Sequence, residues 1–376
     1  MADAALRYIA EDAPTGYGDA ADRLVRAVRG AGTRVEYRGW SNIGGGAAPA
    51  SVPCSRDSRP DDRAASGAPT VAHLVPEYYP HVRAVVPDGP FVAHTVWESD
   101  RLPAHWPQLL NTTDLVVVPT EWNREVFAAS GVCAPLAVVP HVATVPAPGD
   151  RGLPLGLPAD HFVFYTIGRW DERKAIFLAV RAFLDAFTGD DPVVLVVKTG
   201  THIEMPPTTW GATNARAWTT GWQLAAILRE YRNPARVHLE VQTWTDDRID
   251  GLHARGDCYL TLARGEGWGI GAFDATAYGN PVIATGWGGF LAYLDEHSAF
   301  LVDNAPTPVE HHAFASYSPD QVWAAPNLEH AVELLRAVAA DPAAARARAV
   351  PACKRVRDRY APNRVAQEFL TTLGVR

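Results

Sequence analysis

The 376-residue chain predicts an α/β protein built as two halves, each a parallel sheet with helices on both faces. Three observations lead there. Short apolar runs alternate with segments of helical period, which is the pattern of strand–helix–strand units. A stretch rich in Pro and Gly (VPAPGDRGLPLGLPAD, residues 145–160) interrupts that alternation, which then restarts. The length also exceeds what one core sustains, at roughly 150 residues per domain.

The elements follow in order. Residues 6–10 (LRYIA) read as a strand, residues 15–18 (TGYG) as a tight turn, and residues 20–28 as a helix. Residues 41–69 are rich in Gly, Ala, Ser and Pro without a period and read as a mobile loop. Strands are expected at 70–75, 91–95, 114–119 and 136–140, with a helix over 121–130. Beyond the linker, strands are expected at 161–167, 192–198, 237–242, 258–262 and 281–284. Helices are expected at 175–187, 223–232, 246–254 and 270–279, with a helical tail over 327–373. Open parallel sheets bind ligands outside the carboxyl ends of their strands, so two joined by a linker predict a cleft between domains.

Composition excludes several classes. With 47% hydrophobic and 20% charged residues the chain is an ordinary globular mix. A net charge of −8 argues against a broad grip on nucleic acid, which needs a basic face. No apolar run approaches the roughly 18 residues of a membrane span, and the acidic N-terminus does not read as a signal peptide. No strong membrane signal or amphipathic basic helix stands out. Cys54, Cys133, Cys258 and Cys353 lie too far apart for a zinc-ligand spacing or a disulfide framework, so a cytoplasmic setting is expected.

Two clusters carry chemistry. Residues 264–289 (RGEGWGIGAFDATAYGNPVIATGWGG) follow a strand and lead into a helix. Gly265, Gly267 and Gly269 permit close backbone approach to a ligand, and the helix behind them offers free N–H groups at its positive end. Glu266 lies in that loop, and Asp274 eight positions later lies in the helix. A Gly-rich connection whose carboxylates merely cap the helix is the competing reading. The second cluster is Gly168-Arg169-Trp170-Asp171-Glu172-Arg173-Lys174, between a strand and a helix. Arg169 and Lys174 beside a helix start suit a diphosphate, Arg by binding two oxygens and Lys as a point charge. Cations there oppose the helix dipole by about 0.3–1 kcal/mol each, a conflict that an anion removes. Pairing of Asp171 and Glu172 with those cations at a solvated surface is the alternative. Of 34 basic residues only Lys174, Lys198 and Lys354 are lysines. Lys198 ends a strand, whereas Lys354 reads as part of a solvated helical face.

These motifs, GRWDERK, the pair Glu266 and Asp274, and the following GNPVIAT, resemble the signature of GT-B fold glycosyltransferases of family 4. HTVWESDRLP (94–103), NTTDLVVVPTEWNREVFAASGV (111–132) and VVPHV (138–142) resemble the first domain of that family. The likeness runs from Thr15 into the C-terminal tail, with residues 41–69 and about 201–222 outside it. It implies two Rossmann-like domains facing across a cleft: an acceptor-side domain over 1–150 and a nucleotide-sugar domain over 151–355. A final helix over 356–376 is implied to return to the first domain.

The resemblance also implies roles. Arg169 and Lys174 match the pair that neutralises the donor diphosphate, and Glu266 matches the acid that approaches hydroxyls of the transferred sugar. Backbone amides at Gly267, Trp268 and Gly269 are implied to meet the sugar and distal phosphate. Asp274 stands where the family has a second Glu for the ribose, one methylene shorter. Gly16 and Gly18 match the glycine turn near the phosphates. His94 is implied on the acceptor side, with a satisfied structural histidine as its alternative, and Trp97, Glu98 and Arg101 share that placement. His141 reads as structural. Trp210, Trp218, Trp222 and Trp244 are candidates for covering the cleft, against ordinary core packing.

The implied activity is metal-independent, retaining transfer from a nucleotide-diphosphate sugar, UDP- or GDP-linked, to a hydroxyl of a small-molecule or saccharide acceptor. No cofactor is expected. A sugar-nucleotide 2-epimerase of the same fold and a non-catalytic nucleotide-sugar-binding protein are the rival readings.

Overall fold

Strands of three to seven residues, most of them apolar runs, form both large sheets of the computed structural model. It describes residues 5–11, 15–40, 64–86, 88–144, 146, 156–158, 160–203, 219–310 and 316–375. The greater part of the expected loop 41–69 and of the linker 145–160 lies outside the described residues, as do Cys54, Trp210 and Trp218. The chain divides into two units, Met1–Thr144 with Arg357–Arg376, and Val145–Val356.

In the first unit six strands pair in parallel: β1 (Ala5–Glu11), β2 (Arg34–Trp40), β3 (Thr70–His73), β4 (Phe91–His94), β5 (Leu115–Val118) and β6 (Leu136–Val138), in the order β2-β1-β3-β4-β5-β6. β3 and β4 are buried at every residue, as a parallel sheet covered on both faces requires. β2 is an addition to the strands expected from sequence. It is an edge strand whose charged residues break the apolar run, and Glu36 pairs there with Arg7 and Arg38. The helices are α1 (Gly16–Gly30), α2 (Tyr79–Val85), α3 (Trp106–Leu110) and α4 (Glu121–Ala129). Thr15 caps α1 by accepting from the Gly18 N–H at 3.1 Å, and Thr120 caps α4 by accepting from Asn123.

The second unit repeats the plan with β7 (Phe162–Ile167), β8 (Val193–Lys198), β9 (Arg236–Glu240), β10 (Cys258–Thr261), β11 (Val282–Thr285) and β12 (Phe300–Val302), in the order β12-β11-β10-β7-β8-β9. All are parallel, and the order reverses between β7 and β10. That switch point is where an open α/β sheet leaves room for a ligand. Around it run α5 (Ile176–Ala186), α6 (Thr220–Leu228), α7 (Asp246–Arg255) and α8 (Ile270–Tyr278). An antiparallel hairpin, β13 (Asn304–Pro308) with β14 (Val322–Pro326), completes the strands.

The expected helical tail is three helices: α9 (Leu328–Ala340), α10 (Pro342–Arg359) and α11 (Pro362–Thr372). Each break precedes a proline. Asp341 (φ −138°, ψ 78°) and Ala361 (φ −57°, ψ 142°) leave the helical region, as residues before Pro do. α11 belongs to the first unit, where it packs on α1 and places buried Phe369 6.2 Å from Tyr8 and 6.1 Å from His94, ring to ring. Among the described residues no helix is long and apolar enough to cross a membrane.

Candidate active site

The two motif-bearing loops leave β7 and β10, the neighbours at the switch point of the second sheet. In the first, the Gly168 N–H donates to the Lys198 carbonyl at 3.1 Å, continuing the β7–β8 ladder into the loop. Asp171 is buried and closes the turn. Its Oδ1 accepts from the Lys174 N–H at 2.6 Å, and its carbonyl accepts from the Ala175 N–H at 2.9 Å. Ala175 then adopts φ 46°, ψ 40° and is the one non-glycine residue with positive φ among the described residues. The left-handed conformation costs about 1–2 kcal/mol for an L-residue. It ends the loop abruptly and starts α5 directly behind Lys174.

The second loop is stitched to the first. The Arg264 N–H donates to the Arg173 carbonyl at 2.7 Å, and Arg173 Nη1 donates to the Gly265 carbonyl at 2.9 Å. The Glu266 carboxylate, only 6% exposed, takes the Lys174 ammonium on Oε1 and stands 3.4 Å from Arg173 Nη1 on Oε2. A buried carboxylate persists in charged form only when paired this closely.

Glycine settles where the rest of the loop runs. The Gly289 N–H donates to the Glu266 carbonyl at 2.7 Å, and a Cβ at Gly289 would lie 2.2 Å from the carbonyl carbon of Gly267. Gly269 sits at φ 86° against the Phe290 ring, where a Cβ would meet Cε1 at 2.3 Å. The Tyr293 hydroxyl lies 3.0 Å from the carbonyl oxygens of both Trp268 and Gly269. The buried Trp268 ring packs edge-on against Phe273 at 4.9 Å.

Together these residues enclose a recess lined by Lys174, Glu266, Gly269, Gly271, Tyr259 and Thr261, among others. α8 begins there on Gly269, which brings no capping side chain, so the N–H groups of its first turn look for an acceptor. A positive helix end beside an ammonium group is a seat for an anion such as a phosphate.

Residues 108–369 match the family model described as family 4 glycosyltransferase in conflict systems. The chain belongs to this family. No curated relative matches it in sequence. Solved structures share its fold at low identity. Sucrose-phosphate synthase from Thermosynechococcus elongatus superposes with a TM-score of 0.70 at 15% identity, covering 99% of this chain and 98% of that one. HepE of Anabaena, in complex with UDP and glucose, gives 0.68 at 14% identity and 99% coverage of both chains. A point mutant of S. aureus TarM, in complex with fondaparinux, alpha-GlcNAc-glycerol and UDP, gives 0.58 at 12% identity over 81% of this chain. The chain spans 55% of that protein's length. The fold is GT-B, with two Rossmann-like domains.

In this family 4 glycosyltransferase the structure brings Lys174, Glu266 and Gly269 into one recess, with Gly267 and Trp268 in its wall loop. Asp274 is buried within α8, and its charge helps raise the pKa of Tyr259 and Tyr165, which burial raises most. Arg169 is about half exposed, lies 3.3 Å from the Asp171 carboxylate and is not among the residues lining the recess. Asp171 and Glu172 do pair with cations, Asp171 with Arg169 and Glu172 with Arg264 at 3.8 Å, but Lys174 is left to Glu266. Arg173 and Tyr259 belong to the site without having been singled out from sequence. Arg173 is one of three cations in GRWDERK, and only the fold shows which of them is buried.

The first-unit candidates stand at strand ends. Gly16 opens α1 and Gly18 supplies the N–H that Thr15 caps. His94 ends β4 and is buried in a stack with His73, ring centroids 3.9 Å apart and ring planes nearly parallel. The Tyr8 hydroxyl lies 2.8 Å from His73 Nδ1 and 3.2 Å from His94 Nδ1, donating to one and accepting from the other. His141 is buried 6.4 Å from His94. Trp97 is buried with its indole N–H on Ser99 and the Arg101 carbonyl; Glu98 is partly buried and Arg101 exposed. In the second unit the Lys198 ammonium bonds the Thr199 carbonyl and lies over the buried Trp244 ring, while Trp222 and Lys354 are exposed.

Burial pushes His94 down to about 3, and His73 and His141 are likewise pushed below the usual range, chiefly by burial. The unfolded chain protonates them near 6.5. Stability is therefore whole above pH 6.5 and is lost as the pH falls from there toward 3, by about 1.4 kcal/mol per pH unit for His94 alone. Urea unfolding at pH 7.5 and 5.5 should show a loss of at least that size, and His94→Gln should reduce it. Equal stability at the two pH values would mean that the histidines bind protons in the fold as readily as in the unfolded chain. Separately, Gly289→Ala should lower stability by about 1–3 kcal/mol through the clash with Gly267. An unchanged thermal midpoint would show that the two backbones do not cross there.

Proposed function

We propose that this chain is a retaining glycosyltransferase that moves a sugar from a nucleotide-diphosphate sugar to a hydroxyl of a small-molecule or saccharide acceptor, without a metal ion. The meeting of Lys174 and Glu266 at the open N-terminus of α8 carries the reading. Breaking the anomeric C–O bond passes through an oxocarbenium-like state while negative charge grows on the departing diphosphate. Lys174 and the first-turn amides of α8 supply positive charge where that diphosphate would lie. Each charge-assisted contact contributes about 1.5–3 kcal/mol, or tenfold and more in rate if made in the transition state. Protein cations and amide dipoles thus take the part that a divalent ion plays elsewhere. Among the described residues no group of three or more His, Cys, Asp or Glu is arranged to hold a metal.

Glu266 serves the transferred sugar, Asp274 the ribose, and Arg169 a further phosphate contact. The second unit takes the donor and the first unit the acceptor. UDP is the favoured nucleotide, because HepE and TarM are each described in complex with UDP. Retention of configuration follows from the family likeness, with the leaving phosphate accepting the acceptor's proton.

Incubation with UDP-, GDP- and dTDP-sugars tests this reading. Nucleotide release that depends on a hydroxyl acceptor supports it. Epimerisation without an acceptor makes the chain a 2-epimerase, and binding without turnover makes it a carrier. Lys174→Ala and Glu266→Ala should each lower turnover at least tenfold while cooperative unfolding persists; wild-type rates in both would remove the site. Full activity should survive EDTA, and a clear loss would overturn metal independence.

A further inference from the structure

Glu266 is held by two cations, yet only one of them faces the recess. The Lys174 side chain is 23% exposed and lines the recess, whereas that of Arg173 is 6% exposed and is absent from the lining. Arg173 is fixed independently of any ligand: its carbonyl accepts from the Arg264 N–H, and its Nη1 donates to the Gly265 carbonyl. A ligand diphosphate arriving at α8 would draw the Lys174 ammonium away from Glu266, and without Arg173 that would leave a buried carboxylate with no counter-charge, which is strongly disfavoured.

Resting on the reading that the recess takes a nucleoside diphosphate, we propose that Arg173 is a positioning residue that keeps Glu266 neutralised and aimed while Lys174 transfers to the phosphates. Arg173 touches no substrate. It lets one carboxylate serve the sugar and one ammonium serve the leaving group at the same time. Without Arg173, Lys174 is retained by Glu266 and the phosphate seat loses its cation.

UDP binding by calorimetry, with unfolding followed in parallel, tests this. Wild type should bind UDP, and Lys174→Ala should abolish binding in every background. Arg173→Gln should weaken UDP about tenfold, and Arg173→Lys should restore it to within threefold. Adding Glu266→Gln to Arg173→Gln should return UDP affinity to that of Glu266→Gln alone, because no carboxylate is left to compete for Lys174. Wild-type affinity in Arg173→Gln overturns the proposal, and so does failure of the second substitution to rescue it, which would leave Arg173 a merely structural residue. If Arg173→Gln does not fold but the double variant does, Arg173 is shown to hold the Glu266 charge that Lys174 alone does not satisfy; if neither folds, the bond to Gly265 is what matters and the proposal falls. Failure of wild type to bind UDP, GDP or dTDP would instead sink the donor-site reading itself.

Discussion

A carboxylate enclosed by protein is tolerated only with its charge answered, and Glu266 answers that demand with Lys174 and Arg173. That requirement organises the second unit around the switch point of its sheet. Lys174 and Arg173 come from the loop after β7, Glu266 from the loop after β10, and the Arg264–Arg173 backbone bond ties the two loops together. The ion cluster and the parallel sheet therefore define each other: the strand order β8-β7-β10-β11 makes neighbours of segments some ninety residues apart.

Close backbone approach is the second constraint. Gly289 crosses Gly267 where no Cβ fits, Gly269 turns left-handed against Phe290, and Gly271 leaves space that the Tyr259 hydroxyl takes. These absences of side chain explain why the glycines of the 264–289 segment sit where they do. They bring the N-terminus of α8 against Lys174 without a capping side chain in the way, so the amide groups stay available to a ligand. Ala175 adds strain directly behind Lys174, holding the chain in a conformation that glycine would adopt freely.

The first unit is governed by different physics. Its buried histidines are neutral at ordinary pH: the stacked His73 and His94 share the Tyr8 hydroxyl, and α11 covers them with Phe369. Removing water there favours uncharged imidazoles, which are hydrogen-bonding groups and not counter-ions. The C-terminal helix thus closes the sheet that begins the chain, and the fold of the first unit depends on residues from both ends of the sequence.

Local pattern was enough for the α/β alternation, most strands and the Gly-rich loop, and it singled out Lys174 and Glu266 separately as chemistry-bearing residues, which the fold then brings together. Those features follow from periodicity, turn chemistry and charge type, all of which are written within a few residues. Edge strand β2, the proline-divided tail and the β13–β14 hairpin escaped because their patterns are short or mixed with charge. Which of three cations in GRWDERK would be buried, and which left at the surface beside Asp171, was beyond any reading of neighbours in the chain. Burial is a property of what the distant loop at 264–266 brings alongside, and a guanidinium differs from an ammonium in its role only once that partner is in place.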